Sequence, residues 1–191
     1  GVTLKDNYTV KDTYTSKDTT EAVYGIVERI LGAKYKDWFT FELASSQNGK
    51  NFYEISMKNG KVLIKGDEGV SIATGLNYYL KYFCKVHVSQ QTEQVTMPAS
   101  IPQVTTKVRV ESPYEVRYAY NYCTLSYTMP FYGFDEWQRE LDYLALSGVN
   151  VILDTTATEA LWVMYLQQFG YNADEAKNFV CGYAYKAWWL M

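Results

Sequence analysis

The chain has little of what metal and nucleophile chemistry usually requires. Its 191 residues include one histidine, His87, and three cysteines, Cys84, Cys123 and Cys181, with no C-x-x-C spacing. One histidine cannot build a zinc site with widely separated cysteines unless carboxylates help. It also leaves a single candidate base for a Ser-His-Asp or Cys-His arrangement. We therefore expect no metal site and no cofactor.

Long apolar runs and basic tracts are also missing. No stretch approaches the roughly 20 apolar residues that a membrane span needs, and no signal peptide is expected within the sequence. The 18 basic and 21 acidic residues give a net charge of −3, without the cationic cluster that grips nucleic acid. We therefore expect neither a nucleic-acid partner nor a membrane span.

Aromatic residues, in contrast, are abundant. They make up 17% of the chain, and 19 of them are tyrosines. Aromatic rings stack on sugar rings, so this composition suits a protein that binds or cleaves carbohydrate. Tyrosines that fill a core and cover a surface are the alternative, and composition alone favours that alternative.

Residues 1–112 predict a first domain of α+β type. Asp18 and Glu21 have the spacing of a capping box, and apolar residues then recur at helical spacing until Gly32. A second amphipathic helix follows Gly69. Strands lie between the helices, so the order is helix, antiparallel strands, helix. It is typical of helices on one face of a small, largely antiparallel sheet.

The strongest local signal in this half is Asn59-Gly60. It separates two alternating runs, residues 53–57 and 61–65, and accepts the positive φ values of a tight hairpin. The carboxylates of Asp67 and Glu68 stand before a helix, where acidic residues more often serve the helix amino end than catalysis.

The end of this half carries less pattern. His87 lies in an alternating, strand-like run, which favours a structural or exposed histidine. Residues 90–113 are polar and contain one candidate strand, residues 104–110, so we interpret them as the exit from the first domain and a linker.

Residues 113–191 predict the first βα units of a parallel sheet. Residues 116–124 are expected to form a strand, and 149–153 a second strand buried on both faces. Helices are expected after Asp135, over residues 156–170, and after Asn172, which is paired with Glu175 in a capping box. The apolar residues predicted to face inward lie in the first two of these helices: Trp137, Leu141, Leu144, Ala145, Leu161, Met164, Tyr165 and Phe169.

Two carboxylates within the first of these helices, Glu140 and Asp142, are expected on its solvated or ion-paired face. A complete (β/α)₈ barrel needs roughly 250 residues. The second domain therefore predicts either an incomplete barrel or a small open sheet.

Several motifs occur in order with fixed spacing in this half. They are Tyr120-Asn121-Tyr122-Cys123-Thr124, residues 137–150 and Glu159-Ala160-Leu161-Trp162. Together they resemble the start of the catalytic barrel of α-N-acetylglucosaminidases, glycoside hydrolase family 89. The resemblance covers residues 115–191 closely and the first half more loosely, where it implies the small non-catalytic domain of hexosaminidase-type hydrolases.

The resemblance implies an enzyme that removes terminal α-linked N-acetylglucosamine with retention, its partner being a glycan that carries this sugar. Such chemistry needs two carboxyl groups about 5 Å apart. In the family both come from later barrel strands, so we expect no catalytic residue here and an inactive fragment. Four positions match the family's sugar pocket or its surroundings: Asn121, Cys123, Glu159 and Trp188.

The residues themselves support this assignment in part. Asn121 and Cys123 lie two apart at the carboxyl end of the predicted strand, so they would point to one side where barrel enzymes place their sites. Each residue also has a structural alternative. Asn121 could bond only its neighbouring loop, Cys123 could be a small buried residue, Glu159 could complete a capping box, and Trp188 could belong to the core.

Three functions thus compete. The first is the fragment of a glycoside hydrolase, and the second is a carbohydrate-binding or accessory module without catalysis. The third is an interaction domain that self-associates through the edge of its incomplete barrel. The family resemblance favours the first and implies a secreted, periplasmic or lysosomal-type location.

Overall fold

The computed structural model describes residues 15–92, 95–127, 129–153 and 158–180. Its contacts divide the chain into two compact units. The large unit contains the described residues up to Arg117 together with Glu136–Val151. The small unit contains the described residues of 118–135 and those from Ile152 onward. Each unit is described by itself below.

The first helix of the large unit, α1, spans Ser16–Ile30. It begins three residues earlier than the predicted capping box, because Thr15 and Asp18 form that box instead. The Asp18 amide donates to the Thr15 hydroxyl at 3.2 Å, and the Thr15 amide donates to the Asp18 carboxylate at 2.9 Å. Thr15 supplies the acceptor that an N-cap position favours. A 3₁₀ turn, Ala33–Trp38, then leads to the first strand.

The sheet of the large unit contains β1 (Phe39–Leu43), β2 (Phe52–Lys58), β3 (Lys61–Gly66) and β4 (Val108–Glu111) in the order β1-β3-β2-β4. The predicted hairpin is confirmed, since Asn59 and Gly60 have φ values of 51° and 76°. The β2–β3 and β2–β4 pairs are antiparallel, whereas β1 and β3 are parallel. Strand β4 lies within the segment predicted as a linker, so that segment also completes the sheet.

The core of the large unit lies between one face of this sheet and two helices, α1 and α2 (Gly69–Tyr82). Alternate residues of each strand face the helices. The sheet contributes Phe39, Phe41, Tyr53, Ile55, Val62 and Ile64, and the helices contribute Val23, Ile26, Val27, Ile72, Leu76, Tyr79 and Leu80. The predicted arrangement of helices on one face is confirmed. His87 is exposed between buried Val86 and Val88, although no strand forms there.

The residues in register on the other face form a row of alternating charge. Glu42 pairs with Lys65, Lys65 with Glu54, and Glu54 with Arg109 across the strands. Lys65 lies 3.0 Å from Glu42, and Arg109 lies 2.8 Å from Glu54. Hydrogen bonds from Lys58 and Lys65 lower the pKa of Glu42, and those from Arg109 and Lys107 lower the pKa of Glu54.

Helix α4 spans Phe134–Leu146 and buries two carboxylates against the large unit. The Arg29 guanidinium donates two hydrogen bonds to Asp142, at 2.6 and 2.7 Å. The Gln90 amide donates to Glu140 at 2.8 Å. The prediction of an ion-paired face is confirmed for Asp142. The predicted apolar face is wrong at Leu141, which is 46% exposed, whereas its prediction for Leu144 agrees with the 6% exposure of that residue.

The carboxyl end of α4 is held by side chains of α2. The Asn77 amide donates to the Leu146 carbonyl at 3.0 Å, and the Thr74 hydroxyl donates to the Ala145 carbonyl at 3.4 Å. These bonds satisfy carbonyls that have no partner within the helix. Gly148, with a φ of 83°, then follows the end of the helix.

The small unit begins at β5 (Tyr118–Ala119), followed by α3 (Tyr122–Tyr127). The strand predicted over residues 116–124 is therefore much shorter, and its second half is helical. The later strand is also shorter than predicted: β6 contains only Val151–Ile152, and Val151 is 39% exposed rather than buried on both faces. The Val151 amide donates to the Arg117 carbonyl and the Leu153 amide to the Ala119 carbonyl, so β5 and β6 advance in the same direction.

Helix α5 (Thr158–Gln168) turns a different face inward from the one predicted. Leu166 is buried, whereas the side chains of Leu161, Tyr165 and Phe169 are exposed. Apolar residues surround this helix, so their spacing does not select one face. The last described helix, α6 (Ala173–Phe179), begins with the predicted capping box of Asn172 and Glu175. Among the described residues, no helix combines the length and the apolar character needed to cross a membrane.

We predict that acid destabilises the large unit through its carboxylates of lowered pKa. Their ordinary pKa values are 4.5 for Glu42 and Glu54 and 3.8 for Asp67, and the folded values lie below these. Their contribution is therefore fully present above the ordinary values and is lost as pH falls through the folded ones. Urea midpoints measured from about pH 6 to about pH 3 should fall, and Asp67→Asn should reduce that slope.

The control for this prediction is Asp37→Asn, which removes a carboxylate whose side chain is 94% exposed. It should leave the dependence of the urea midpoint on pH unchanged. An equal slope in the wild type and in Asp67→Asn would contradict the assignment of this stability to Asp67.

We also predict that Gly75→Ala disrupts the packing of α2 on the sheet. A Cβ atom there would lie 2.8 Å from the Ile64 Cγ2 atom and 3.1 Å from the Tyr53 Cβ atom. The free energy of unfolding should fall by about 1–3 kcal/mol, as is usual for overpacking. Gly69→Ala at the start of α2 is the control, since its Cβ would meet only the Thr19 Cγ2 atom, at 3.1 Å. Equal losses in the two variants would contradict this account.

Candidate functional site

Asn121 lies two residues after the end of β5 and caps α3. Its Oδ1 atom accepts hydrogen bonds from the amides of Cys123 and Thr124, at 2.9 and 3.1 Å, and from the Thr124 hydroxyl at 3.2 Å. The oxygen of Asn121 therefore bonds only neighbouring residues, as the structural alternative for this residue expects. Its Nδ2 group donates no hydrogen bond to another described residue. Because the oxygen is held, the direction of the amide nitrogen is fixed, and its two N–H donors are left without a partner among the described residues.

The residue before Asn121 has an unusual backbone conformation. Tyr120 has a φ of 73°, in the left-handed region that tyrosine rarely adopts. Such a conformation costs about 1 kcal/mol or more and persists only where the surroundings impose it. It ends β5 and turns the chain so that Asn121 can cap the next helix.

Cys123 lies in the first turn of α3 and is half-buried. The prediction that Asn121 and Cys123 point to the same side of a strand is wrong, because Cys123 already lies in α3. The two residues are nevertheless brought together, since the Cys123 amide bonds the Asn121 side chain. Both follow the carboxyl end of a strand, where barrel enzymes place their sites.

The other two predicted site residues are placed differently. Glu159 lies in the first turn of α5 and is half-buried. Its proposed capping partner, Thr156, lies outside the described residues. Trp188 lies outside the described residues as well. The structure thus brings together Asn121 and Cys123, whereas Glu159 belongs to a separate element.

Arg117 is a residue that sequence reasoning missed. It directly precedes β5, and its guanidinium lies within the large unit. It donates to the Gly148 carbonyl at 2.6 Å, to the Asn51 side-chain oxygen at 2.8 Å and to the Glu68 carboxylate at 3.0 Å. A single arginine in a strand-like run carries no pattern that would indicate such a role.

Asp67 binds Asn51, one of the acceptors of Arg117. Its carboxylate accepts from the Asn51 amide at 2.6 Å, from the Phe52 backbone amide at 2.9 Å and from the Ser71 hydroxyl at 2.8 Å. Burial alone would raise the pKa of Asp67, but these hydrogen bonds outweigh it and hold that pKa below its usual value. The expectation that Asp67 and Glu68 have structural rather than catalytic partners agrees with these contacts.

Comparison with known families identifies both halves of the chain. The N-terminal domain of alpha-N-acetylglucosaminidase (NAGLU) matches residues 21–103, and the tim-barrel domain of the same family matches residues 117–191. Human alpha-N-acetylglucosaminidase is 31% identical over 174 residues, which is 89% of this chain and 23% of the human protein.

Solved structures that resemble this chain belong to the same family of enzymes. A family 89 glycoside hydrolase from Clostridium perfringens, in complex with 2-acetamido-1,2-dideoxynojirmycin, superposes with a TM-score of 0.87 at 41% identity. A variant of the Clostridium perfringens protein with two Glu→Gln substitutions, in complex with its substrate GlcNAc-α-1,4-galactose, gives the same TM-score. Each comparison covers 92% of this chain and 20% of the other. The chain thus spans about a fifth of the length of these relatives.

We predict that the two described cysteines differ in reactivity. Cys84 is 7% exposed, and burial raises the pKa of its thiol to about 11. The thiolate is the reactive form, so iodoacetamide at about pH 8 should alkylate the half-buried Cys123 at least about tenfold faster than Cys84. Peptide mass mapping separates the sites, and urea should make Cys84 reactive. Equal rates in the folded protein would contradict the assignment.

Proposed function

Because the chain belongs to the α-N-acetylglucosaminidase family, glycoside hydrolase family 89, we propose that it forms the N-terminal domain and the first wall of the sugar pocket of such an enzyme. The proposed activity of the whole enzyme is removal of terminal α-linked N-acetylglucosamine from a glycan. The proposed pocket residues of this chain are Asn121, Cys123, Glu159 and Trp188.

This proposal rests on the side-chain amide of Asn121, whose orientation is fixed by hydrogen bonds to its oxygen. Its Oδ1 atom accepts hydrogen bonds from α3, and its Nδ2 group, two residues after β5, has no hydrogen bond to another described residue. An amide nitrogen can donate to a sugar hydroxyl or to the carbonyl of an acetamido group. A family relative has been crystallised with its substrate, GlcNAc-α-1,4-galactose.

We further propose that the 191 residues do not hydrolyse this bond by themselves. Retaining hydrolysis needs a nucleophile and an acid/base about 5 Å apart. Three buried or half-buried carboxylates that could be mistaken for such a pair have structural partners: Asp67 binds Asn51, Glu140 binds Gln90, and Asp142 binds Arg29. The proposed catalytic pair therefore comes from elsewhere in the enzyme.

The location proposed for the enzyme is secreted, periplasmic or lysosomal-type. Family resemblance supports it, because enzymes of this family act on external or lysosomal glycans. The competing roles are a binding or accessory module and a self-associating domain. Exposed apolar side chains of α5, among them Leu161 and Tyr165, support the last of these. Light scattering after size-exclusion chromatography tests it, and a clean monomer at high concentration would count against it.

The proposal predicts weak but selective sugar binding without turnover. N-acetylglucosamine should quench or enhance tryptophan fluorescence with a dissociation constant no tighter than millimolar, because only part of the pocket is present. Galactose should have no such effect. An aryl α-N-acetylglucosaminide should not be hydrolysed. Clear turnover would overturn the proposal that the catalytic pair lies elsewhere.

Asn121→Asp is the sharpest variant for this test. It keeps the oxygen that caps α3 and removes the Nδ2 donors, so the fold should persist while affinity falls by about tenfold. Asn121→Ala is the matched variant that also removes the cap, and it should in addition lower stability by about 1 kcal/mol. Unchanged affinity in Asn121→Asp would reject the amide nitrogen as a sugar contact.

A further inference from the structure

The large unit contains a cavity of about 250 Å³, which lies between strands β2 and β4, the first half of α2 and the turn that follows α4. All of its lining residues belong to the large unit. Pockets that bind small molecules usually measure about 300 Å³ or more. The cavity is therefore of a size for one ring-sized group, and it is too small for a cofactor or a peptide.

The charged side chains at this cavity already have charged partners. Arg117 lies 3.0 Å from Glu68, and Glu111 lies 2.7 Å from Arg109. A cationic or anionic ligand would have to displace one of these partners, because the two lining charges are opposite in sign and each is balanced. The cavity thus favours a neutral ligand.

Hydroxyl groups supply further polar atoms around the cavity. Four serine and threonine side chains line it: Ser71, Thr74, Ser112 and Ser147. The first three donate hydrogen bonds to neighbouring groups of the protein, at 2.7 to 2.8 Å, so their oxygens retain a lone pair that can accept. The Ser147 hydroxyl has no hydrogen bond to another described residue, so it can donate as well as accept. Such a lining suits a ligand that is rich in hydroxyl groups.

Three tyrosines extend one wall of the cavity along α2. Tyr53 lines the cavity, and its ring centroid lies 5.8 Å from that of Tyr78. The ring centroid of Tyr78 lies 4.5 Å from that of Tyr82, which is 51% exposed. Aromatic rings are rigid and apolar, so they provide faces against which the C–H groups of a sugar ring can pack.

The hydroxyl groups of this tyrosine row are also available to a ligand. None of the three makes a hydrogen bond to another described residue. Among the described residues no buried side-chain oxygen lacks a partner, so the Tyr53 hydroxyl reaches solvent although the residue is only 8% exposed. Burial, with Tyr78 and Tyr82 nearby, raises the pKa of Tyr53 to about 12. This phenol therefore stays protonated and can donate a hydrogen bond.

We propose that this cavity and the row of Tyr53, Tyr78 and Tyr82 form a second site, which binds a neutral saccharide. One sugar ring occupies the cavity, and the ring linked to it lies against Tyr78 and Tyr82. The ligand class follows from the balanced charges, the hydroxyl lining and the exposed aromatic rings. No residue of the proposed sugar pocket around Asn121 takes part, so this inference does not depend on the proposed function.

The test is a titration of the isotope-labelled protein with N-acetylglucosamine and with its β-1,4-linked disaccharide. The backbone amides of Val110, Ser112 and Ser147 should shift progressively with either sugar. The disaccharide should bind about three- to tenfold more tightly, because only the disaccharide also contacts the tyrosine row. Inorganic phosphate should leave these amides unchanged. The proposal is overturned if the amides stay fixed with both sugars, or if phosphate shifts them as much.

Ser147→Phe is the variant that should block the cavity. Ser147 is exposed where it lines the cavity, so a phenyl ring there can take the space of the sugar ring. The affinity for N-acetylglucosamine at these amides should fall by at least about tenfold, as a steric clash with the ligand predicts. Ser100→Phe is the matched control, because Ser100 is exposed in the same unit and does not line the cavity. Equal affinities in the two variants would contradict the proposal.

Tyr82→Leu covers the case in which Ser147→Phe does not fold. Tyr82 is the last residue of α2 and is largely exposed, so the fold should persist. This variant should lose the preference for the disaccharide and keep its affinity for N-acetylglucosamine. An unchanged preference would overturn the proposal.

The same titration separates this inference from the proposed function. The amides of Cys123 and Thr124 report on the site around Asn121, whereas those of Ser112 and Ser147 report on the cavity. Shifts at the cavity alone support the second site and count against the sugar pocket at Asn121. Shifts at Cys123 and Thr124 alone reject the second site and leave the proposed function intact.

Discussion

The hydrogen bonds of the Arg117 guanidinium hold together segments of the large unit that are far apart in sequence. Its bonds to Asn51, Glu68 and Gly148 join the sheet of the large unit, the start of α2 and the end of α4. An arginine whose acceptors include a carboxylate forms charge-assisted hydrogen bonds that are stronger than neutral ones.

The same large unit also explains why α4 buries carboxylates. A helix on the outside of a barrel normally exposes its charged side to water. In this chain Arg29 and Gln90 bind the two carboxylates of that side, and Thr74 and Asn77 bond the backbone carbonyls at the end of the helix. Buried charges are tolerated when they are paired and hydrogen-bonded. The first barrel helix is thus bound to the N-terminal domain by polar contacts.

Features with local causes were predictable from the sequence. The Asn59-Gly60 turn follows from the φ values that these two residues accept, and the Asn172 cap follows from a spacing of three residues. Asn121 also carried a local signal, since asparagine favours an N-cap, but the alternating run around it favoured a strand. The partners of Arg117 could not be predicted, because the most distant of them, Asn51, lies 66 residues away. The buried face of α5 could not be predicted either, because its apolar residues surround the helix.

The candidate site combines what the family resemblance implied with what the backbone imposes. The left-handed Tyr120 and the capping oxygen of Asn121 give the amide nitrogen one direction at the end of β5. The most direct measurement of its role is the side-chain amide resonance of Asn121, followed while N-acetylglucosamine is added to the isotope-labelled protein. We expect this resonance to shift progressively with sugar and not with galactose. A resonance that stays fixed while sugar binds elsewhere, or that shifts equally with galactose, would contradict the account.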